Sequence, residues 1–343
     1  NFTCSLQTDG TVQCWGSGQY GQLGDGPNVD STRPVRVDPI TDAVQVETGS
    51  SHACALLEDG SIRCWGNHDR GQLGDGDGAI NPAWRGTPVT VVGITDAVSI
   101  AAGGNHTCAL LADGTAQCWG LDDVGQLGDP LVGGYRTSPV AVTGLTNALA
   151  ITAGGNHTCA VLDDGTATCW GENEYGQLGD GTTTDRSAPV AVTGLTNATA
   201  IEAESQHTCA LLADGTATCW GYNAFGQLGD GTTTDRTSPV AVTGLIDATA
   251  IDTGIFHTCA LLSDGTASCW GRNNNGQLGD GTTTNRPTPT PVPGASSITG
   301  ISAGGNHTCA AFTDSKAKCW GYNLNGLLGN GSTANATAPS SVL

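Results

Sequence analysis

The chain has 343 residues, with 12 Lys and Arg against 32 Asp and Glu and a formal net charge of −20. Such an imbalance opposes binding to nucleic-acid phosphates and to anionic lipid surfaces at ordinary salt. The 52 Gly, the lack of Met and the lack of a sustained helical period argue against a helical fold, and the 14 Cys point to an oxidising compartment, extracellular or at the cell surface.

Read from its N-terminus, the chain starts in the middle of a unit that then recurs. Asn1 aligns with Asn105, Phe2 takes the place of a His in later units, and no extended segment precedes them. The first unit is therefore expected to hold three strands, and the natural protein to continue on at least one side. Units begin near residues 1, 43, 97, 148, 198, 248 and 298 and make one domain over 1–343. A period of about fifty residues built from short strands suits a propeller blade, because one small sheet cannot bury both faces without neighbours.

The fifth unit shows the pattern. Its four extended segments are Ala198 to Ala203, His207 to Leu212, Thr216 to Trp220 and Pro239 to Val242. Ala213-Asp214-Gly215 joins the second to the third, a three-residue loop with Gly where a left-handed residue is required. Counting outward from that loop, Leu211 faces Ala217 and Cys209 faces Cys219, within reach of a bridge. The same ten-residue step gives Cys4–Cys14, Cys54–Cys64, Cys108–Cys118, Cys159–Cys169, Cys209–Cys219, Cys259–Cys269 and Cys309–Cys319, which uses every cysteine. Zinc is the weaker reading, since this spacing does not bring two close pairs together. Each sheet is apolar on both faces, as expected between two neighbours. Trp15, Trp65, Trp119, Trp170, Trp220, Trp270 and Trp320 follow the second cysteines and read as packing between blades. His52, His106, His157, His207, His257 and His307 share one position and read as structural hydrogen-bonding groups. The last segment, Ser340 to Leu343, matches a fourth strand.

Between the third and fourth segments lies Gly-Gln-Leu-Gly-Asp-Gly, as at Gly226 to Gly231. With the preceding Trp-Gly, the His-x-Cys-Ala-Leu strand and the Asp-Gly turn, this string resembles the regulator of chromosome condensation repeat family over essentially the whole chain. The cysteine pairs and acidic charge make it similar to the secreted, disulfide-containing bacterial type. The resemblance implies an all-β, seven-bladed β-propeller of four-stranded antiparallel blades, one disulfide in each. Members of that family include a nuclear exchange factor, a plant photoreceptor and a bacterial inhibitor of β-lactamases.

The two ends of such a wheel differ in sequence. The Asp-Gly turns and inter-blade connections are nearly uniform, whereas the residues after Cys-Trp-Gly and before each His vary from unit to unit. This variable face is expected to present Tyr20, His68, Arg70, Tyr175, Tyr222, Phe225, Phe256, Arg272 and Tyr322 for partner binding. An insertion from Asp77 to Gly86 adds Trp84 and Arg85, and the Leu131 to Tyr135 variant adds Tyr135. Tyr and Arg on loops held by a rigid ring suit a protein-binding or sugar-binding surface. No catalytic motif occurs, so the chain is not read as an enzyme. No cofactor is expected; Asp180 to Asp185 and its copies offer at most a weak calcium site, lacking the terminal Glu of a helix-loop-helix loop. The leading reading is a secreted or cell-surface scaffold that holds another protein. Alternatives are an inhibitor that caps a secreted enzyme, and a lectin or adhesive module of a larger extracellular assembly.

Overall fold

The computed structural model describes residues 2–78 and 83–343; Asn1 and residues 79–82 of the blade-two insertion lie outside them. Seven antiparallel sheets form a seven-bladed β-propeller, six sheets with four strands and the first with three, neighbours in each sheet being neighbours in sequence. Blade five consists of strands Ala198–Glu204, His207–Leu212, Ala217–Gly221 and Arg236–Ala241. Its fourth strand starts earlier than the pattern of apolar residues indicates. Gly221, at φ +100°, absorbs a register shift and lets Arg236 pair with it, and Pro239 is tolerated there because an outer edge strand needs no ladder donor on its open side.

The hairpin turn sets the cysteine register. Gly215 sits at φ +78°, Leu212 N–H donates to the Thr216 carbonyl, and the Asp214 carboxylate accepts from Thr216 N–H at 2.9 Å. Leu211 therefore lies opposite Ala217 and Cys209 opposite Cys219, whose Cα atoms are 4.0 Å apart and whose sulfurs are bonded. All seven such pairs are disulfides and no cysteine is free. Each closes a short loop within one sheet, so it stiffens a hairpin without tying blades together.

Blades are joined by packing and by one repeated polar contact. Between blades five and six, Leu211 and Leu228 from one side meet Ile251 and Trp270 from the other in a single buried cluster. At the preceding gap the Gln177 carbonyl of blade four accepts both the Trp220 indole N–H and the Thr208 hydroxyl, each at 2.9 Å. The Thr208 proton is thereby used, so His157 Nε2, 2.9 Å from the same oxygen, must be the donor. His157 is thus a neutral imidazole protonated on Nε2, with no hydrogen-bond partner for Nδ1 among the described residues. Burial pushes its pKa down to about 3. Gly229 of the Gly-Gln-Leu-Gly string explains the glycine: a Cβ there would come within 2.7 Å of the Trp270 indole nitrogen in the next blade.

The wheel closes through the same contact. Trp15 and Thr3 donate to the Leu327 carbonyl and His307 donates to Thr3. At the seventh blade Trp320 Nε1 has no partner among the described residues, and Thr308 alone donates to the Gln277 carbonyl. One gap lacks the His and the Thr together. Between blades one and two, Phe2 stands where the His would be and Ala53 where the Thr would be, and both pack with Trp65 in one buried cluster.

That natural pair sets a test. His106→Phe alone leaves the buried Thr158 hydroxyl without its donor, at a cost of about 1–3 kcal/mol. Adding Thr158→Ala copies the Phe2/Ala53 gap, and the double variant is expected to have the higher urea midpoint of the two. Burial lowers the His106 pKa to about 4. Between the unfolded value near 6.5 and that folded value, the unfolded chain binds a proton the native chain refuses, so stability falls as pH drops through this window. The double variant is expected to lose about one proton's worth of that slope; an unchanged slope between pH 6.5 and 4 would rule out the buried neutral imidazole.

Candidate functional site

In blades four to seven the loop of the variable face is held from beneath by a buried asparagine. In blade five, Asn223 Nδ2 donates to Asp230 Oδ1, the Thr232 carbonyl and the Thr234 carbonyl at 3.0–3.3 Å, while its Oδ1 accepts from Leu228 N–H. An amide suits this place because it donates and accepts at once. Asp230 in turn holds the Arg236 guanidinium at 2.7 Å. Asn173 and Asn273 repeat the arrangement, each with its Asp–Arg pair, and Asn323 repeats the asparagine bonds with Asn330 in place of the aspartate. In the loop read as a weak calcium site, Asp180 is likewise occupied by Arg186 at 2.8 Å and by Thr182.

On this support the aromatic residues of blades four to six come together. The Tyr175 and Tyr222 rings meet edge to face with centroids 4.9 Å apart, Tyr222 lies 5.7 Å from Phe256, and Phe225 lies 5.1 Å from Phe256. The Arg272 guanidinium covers Phe225 at 5.1 Å and Phe256 at 5.5 Å. All five side chains are half-buried. Such contacts contribute about 0.5–1.5 kcal/mol each beyond the area they bury and give the patch a defined shape.

The remaining variable-face residues do not join this cluster. Tyr20 and Tyr135 stand exposed, at 47% and 37%, Arg70 is exposed and Tyr322 is half-buried. Three expectations need correction. His68 is fully buried; its Nε2 lies 3.2 Å from both Asp75 Oδ1 and the Asp77 carbonyl, so it takes the place of the supporting asparagine of blades four to seven and is not part of the exposed face. Trp84 is half-buried at the head of a strand, Trp84–Thr90, rather than an exposed loop anchor, and its ring lies over Gly21 of the neighbouring blade. Arg85 is ion-paired to Asp77 at 2.8 Å and Asp75 at 3.6 Å, inside the insertion.

Two features escaped the sequence reading. In blade three Asp122 occupies the asparagine position and cannot donate while ionised. Burial raises its pKa to about 6, and Arg136 supplies the missing positive charge, ion-pairing Asp129 at 3.1 Å and lying 3.6 Å from Asp122. The second is the central channel, a cavity of about 400 Å³ lined by the innermost strands and carrying Glu47, Glu202, Glu204 and Asp252. Side chains there bridge neighbouring blades: Gln45 exchanges hydrogen bonds with the Ile100 backbone, Thr152 accepts from Ala203 N–H, and Asp252 accepts from Ala303 N–H. Burial, reinforced by mutual repulsion, lifts Glu47 to about 7 and Glu204 to about 8 and raises Glu202 well above the usual range. Aligning residues 47, 101, 152, 202, 252 and 302 as one repeat position would have put Glu, Ala, Thr, Glu, Asp and Ser around a common axis.

Comparison with known proteins gives a consistent picture. The family model for the RCC1-like domain matches residues 1–250, and models for the regulator of chromosome condensation (RCC1) repeat match 264–311, 248–277 and 298–327. The ultraviolet-B receptor UVR8 of Arabidopsis thaliana is 32% identical over 185 residues, 52% of this chain and 41% of the receptor. Protein pim1 of Schizosaccharomyces pombe is 28% identical over 200 residues, 52% of this chain and 36% of pim1. The chain thus spans less than half the length of these curated relatives. Among solved structures, human WBSCR16 superposes with a TM-score of 0.88 at 20% identity, over 97% of this chain and 94% of that one. Yeast RCC1 (Prp20), solved bound to Kap60, gives 0.84 at 23%, over 98% and 85%; these two likenesses concern the fold.

The channel carboxyls make stability depend on pH in the opposite sense to the histidines. Because Glu204 titrates at about 8 in the fold and near 4.5 when unfolded, the native state holds a proton that the unfolded state gives up, and stability falls as pH rises through that window. Glu204→Gln, a neutral isostere, is expected to match the parent in thermal unfolding at pH 4 and to exceed it at pH 8.5 by several kcal/mol. Equal stability at both pH values would show that the carboxyl is solvated and ionised in the channel.

Proposed function

Since the chain belongs to the RCC1-like domain family, we propose that it is a protein-binding scaffold of the secreted or cell-surface type, with residues 1–343 acting as one rigid wheel and the variable face as its contact surface. The observation that carries this reading is the cluster of Tyr175, Tyr222, Phe225, Phe256 and Arg272. Loops from three blades converge there on a supported, partly solvent-facing aromatic surface, the composition from which binding hot spots are made. Tyr20, Arg70, Tyr135 and Tyr322 form its outlying members. Seven disulfides favour an oxidising location, and the net charge of −20 keeps the molecule away from phosphate backbones and toward partners that are not polyanions. Yeast Prp20 bound to Kap60 offers a precedent for a propeller of this shape in a protein complex. An inhibitor that caps a secreted enzyme would use the same surface in the same way.

The test is capture of proteins from culture medium or envelope extract on the immobilised chain. Tyr222→Ala with Phe225→Ala, in a variant whose unfolding transition is intact, is expected to weaken capture at least tenfold, as loss of central aromatic anchors does. Capture that is unaffected would place the contact elsewhere. Binding on a glycan array that is lost in the same double variant would favour the lectin reading instead.

A further inference from the structure

The aromatic surface is electrically lopsided. At its blade-six end the Arg272 guanidinium lies over Phe225 and Phe256. At its blade-four end Glu172, Glu174 and Asp185 line one open notch together with Thr183 and Thr184. Tyr175 stands beside this notch: Glu174, Asp235 and Glu172 all act on its phenol and raise its pKa, Glu174 most. Glu174, Asp185 and Asp235 are exposed. Among the described residues, none of the three notch carboxylates is in an ion pair; the nearby Arg186 and Arg236 are committed to Asp180 and Asp230. Glu172 is half-buried and its pKa is raised, by burial first and then by Asp185 and Glu174. The three acids repel one another, and a cation placed between them would relieve that repulsion.

Resting on the scaffold reading, we infer that this surface selects a polypeptide segment in which a Lys or Arg adjoins an apolar side chain. The cation enters the notch of Glu172, Glu174 and Asp185, and the apolar group lies on Tyr222 and Phe225. Charge complementarity gives the segment a direction. Arg272 at the far end repels the cation from that side, so the basic residue points toward blade four and the apolar one toward blade six. The aromatic rings supply the desolvated area that affinity needs, while the acids supply orientation and rate of encounter.

The experiment selects binders from a random-peptide phage library on the intact, disulfide-bonded chain and keeps those lost on Tyr222→Ala with Phe225→Ala. These peptides are expected to carry Lys or Arg beside an aliphatic or aromatic residue. Synthetic versions should bind about fivefold more weakly to Glu174→Gln and to Asp185→Asn at physiological salt, the scale of one solvent-facing charge pair. Selection on Glu174→Lys should shift the enriched peptides toward acidic residues. Face-dependent peptides that are neutral or acidic, or that ignore the loss of both carboxylates, would overturn the inference while leaving the scaffold reading standing. A selection that yields no peptide dependent on Tyr222 and Phe225 would overturn it as well, and the scaffold reading would then be judged only by capture of whole proteins.

Discussion

The Gln177 carbonyl, with the Trp220 indole N–H and the Thr208 hydroxyl on it and the His157 imidazole behind the hydroxyl, is the contact on which the wheel depends. The disulfides lie inside blades and cannot hold one blade to the next. Apolar packing between sheets is strong but has no direction, so sheets could slide on one another without losing much buried area. A carbonyl with two donors, fixed by an indole that also packs, sets the angle and height of one blade against its neighbour at five of the seven gaps. The glycines of the Gly-Gln-Leu-Gly string exist for the same reason, since the chain must pass within contact distance of the next blade's indole.

The cost of this arrangement is a set of buried imidazoles that must stay neutral. Burial pushes five of the six to about 3 and His106 to about 4. The channel acids pull the other way, because burial raises them toward neutral pH. Acid thus opposes the gaps between blades, and base opposes the axis of the wheel. The imidazole window, up to about pH 6.5, overlaps the carboxyl window, which opens near pH 4; six imidazoles outweigh the few channel carboxyls in the overlap, so stability is expected to peak near the unfolded imidazole value of about 6.5.

Support and display are divided between different residues of the same loop. Asn223 is wholly buried and fully bonded, while Tyr222 and Phe225 on either side of it face outward. The supporting position can change if its hydrogen-bonding duty is met in another way: His68 meets it in blade two as a donor, and in blade three Asp122 does so only with Arg136 alongside. In these two blades the loop arginine also ion-pairs a second acid, Arg85 with Asp77 and Arg136 with Asp122. Blades four to six keep the asparagine, and their flanking positions are free to carry the aromatic cluster.

The architecture was legible in the chain itself, because it follows from rules that act within one unit. A three-residue turn with Gly215 left-handed fixes the hairpin register, the register aligns Cys209 with Cys219, and repetition at a constant interval makes blades. The Phe2 and Ala53 substitutions were visible too, but their meaning was not, since the side chains that face each other belong to different blades. The same limit applies to function. Sequence placed Tyr175, Tyr222, Phe225, Phe256 and Arg272 among a dozen candidates on one face without saying which of them touch. It put His68 and Arg85 in the same list, although the fold turns both inward upon Asp75. Which residues meet, and around which axis the acids of the innermost strands gather, depends on how blades pack against one another. Periodicity fixes the order of the blades along the chain, and only the closed wheel fixes the distances across it.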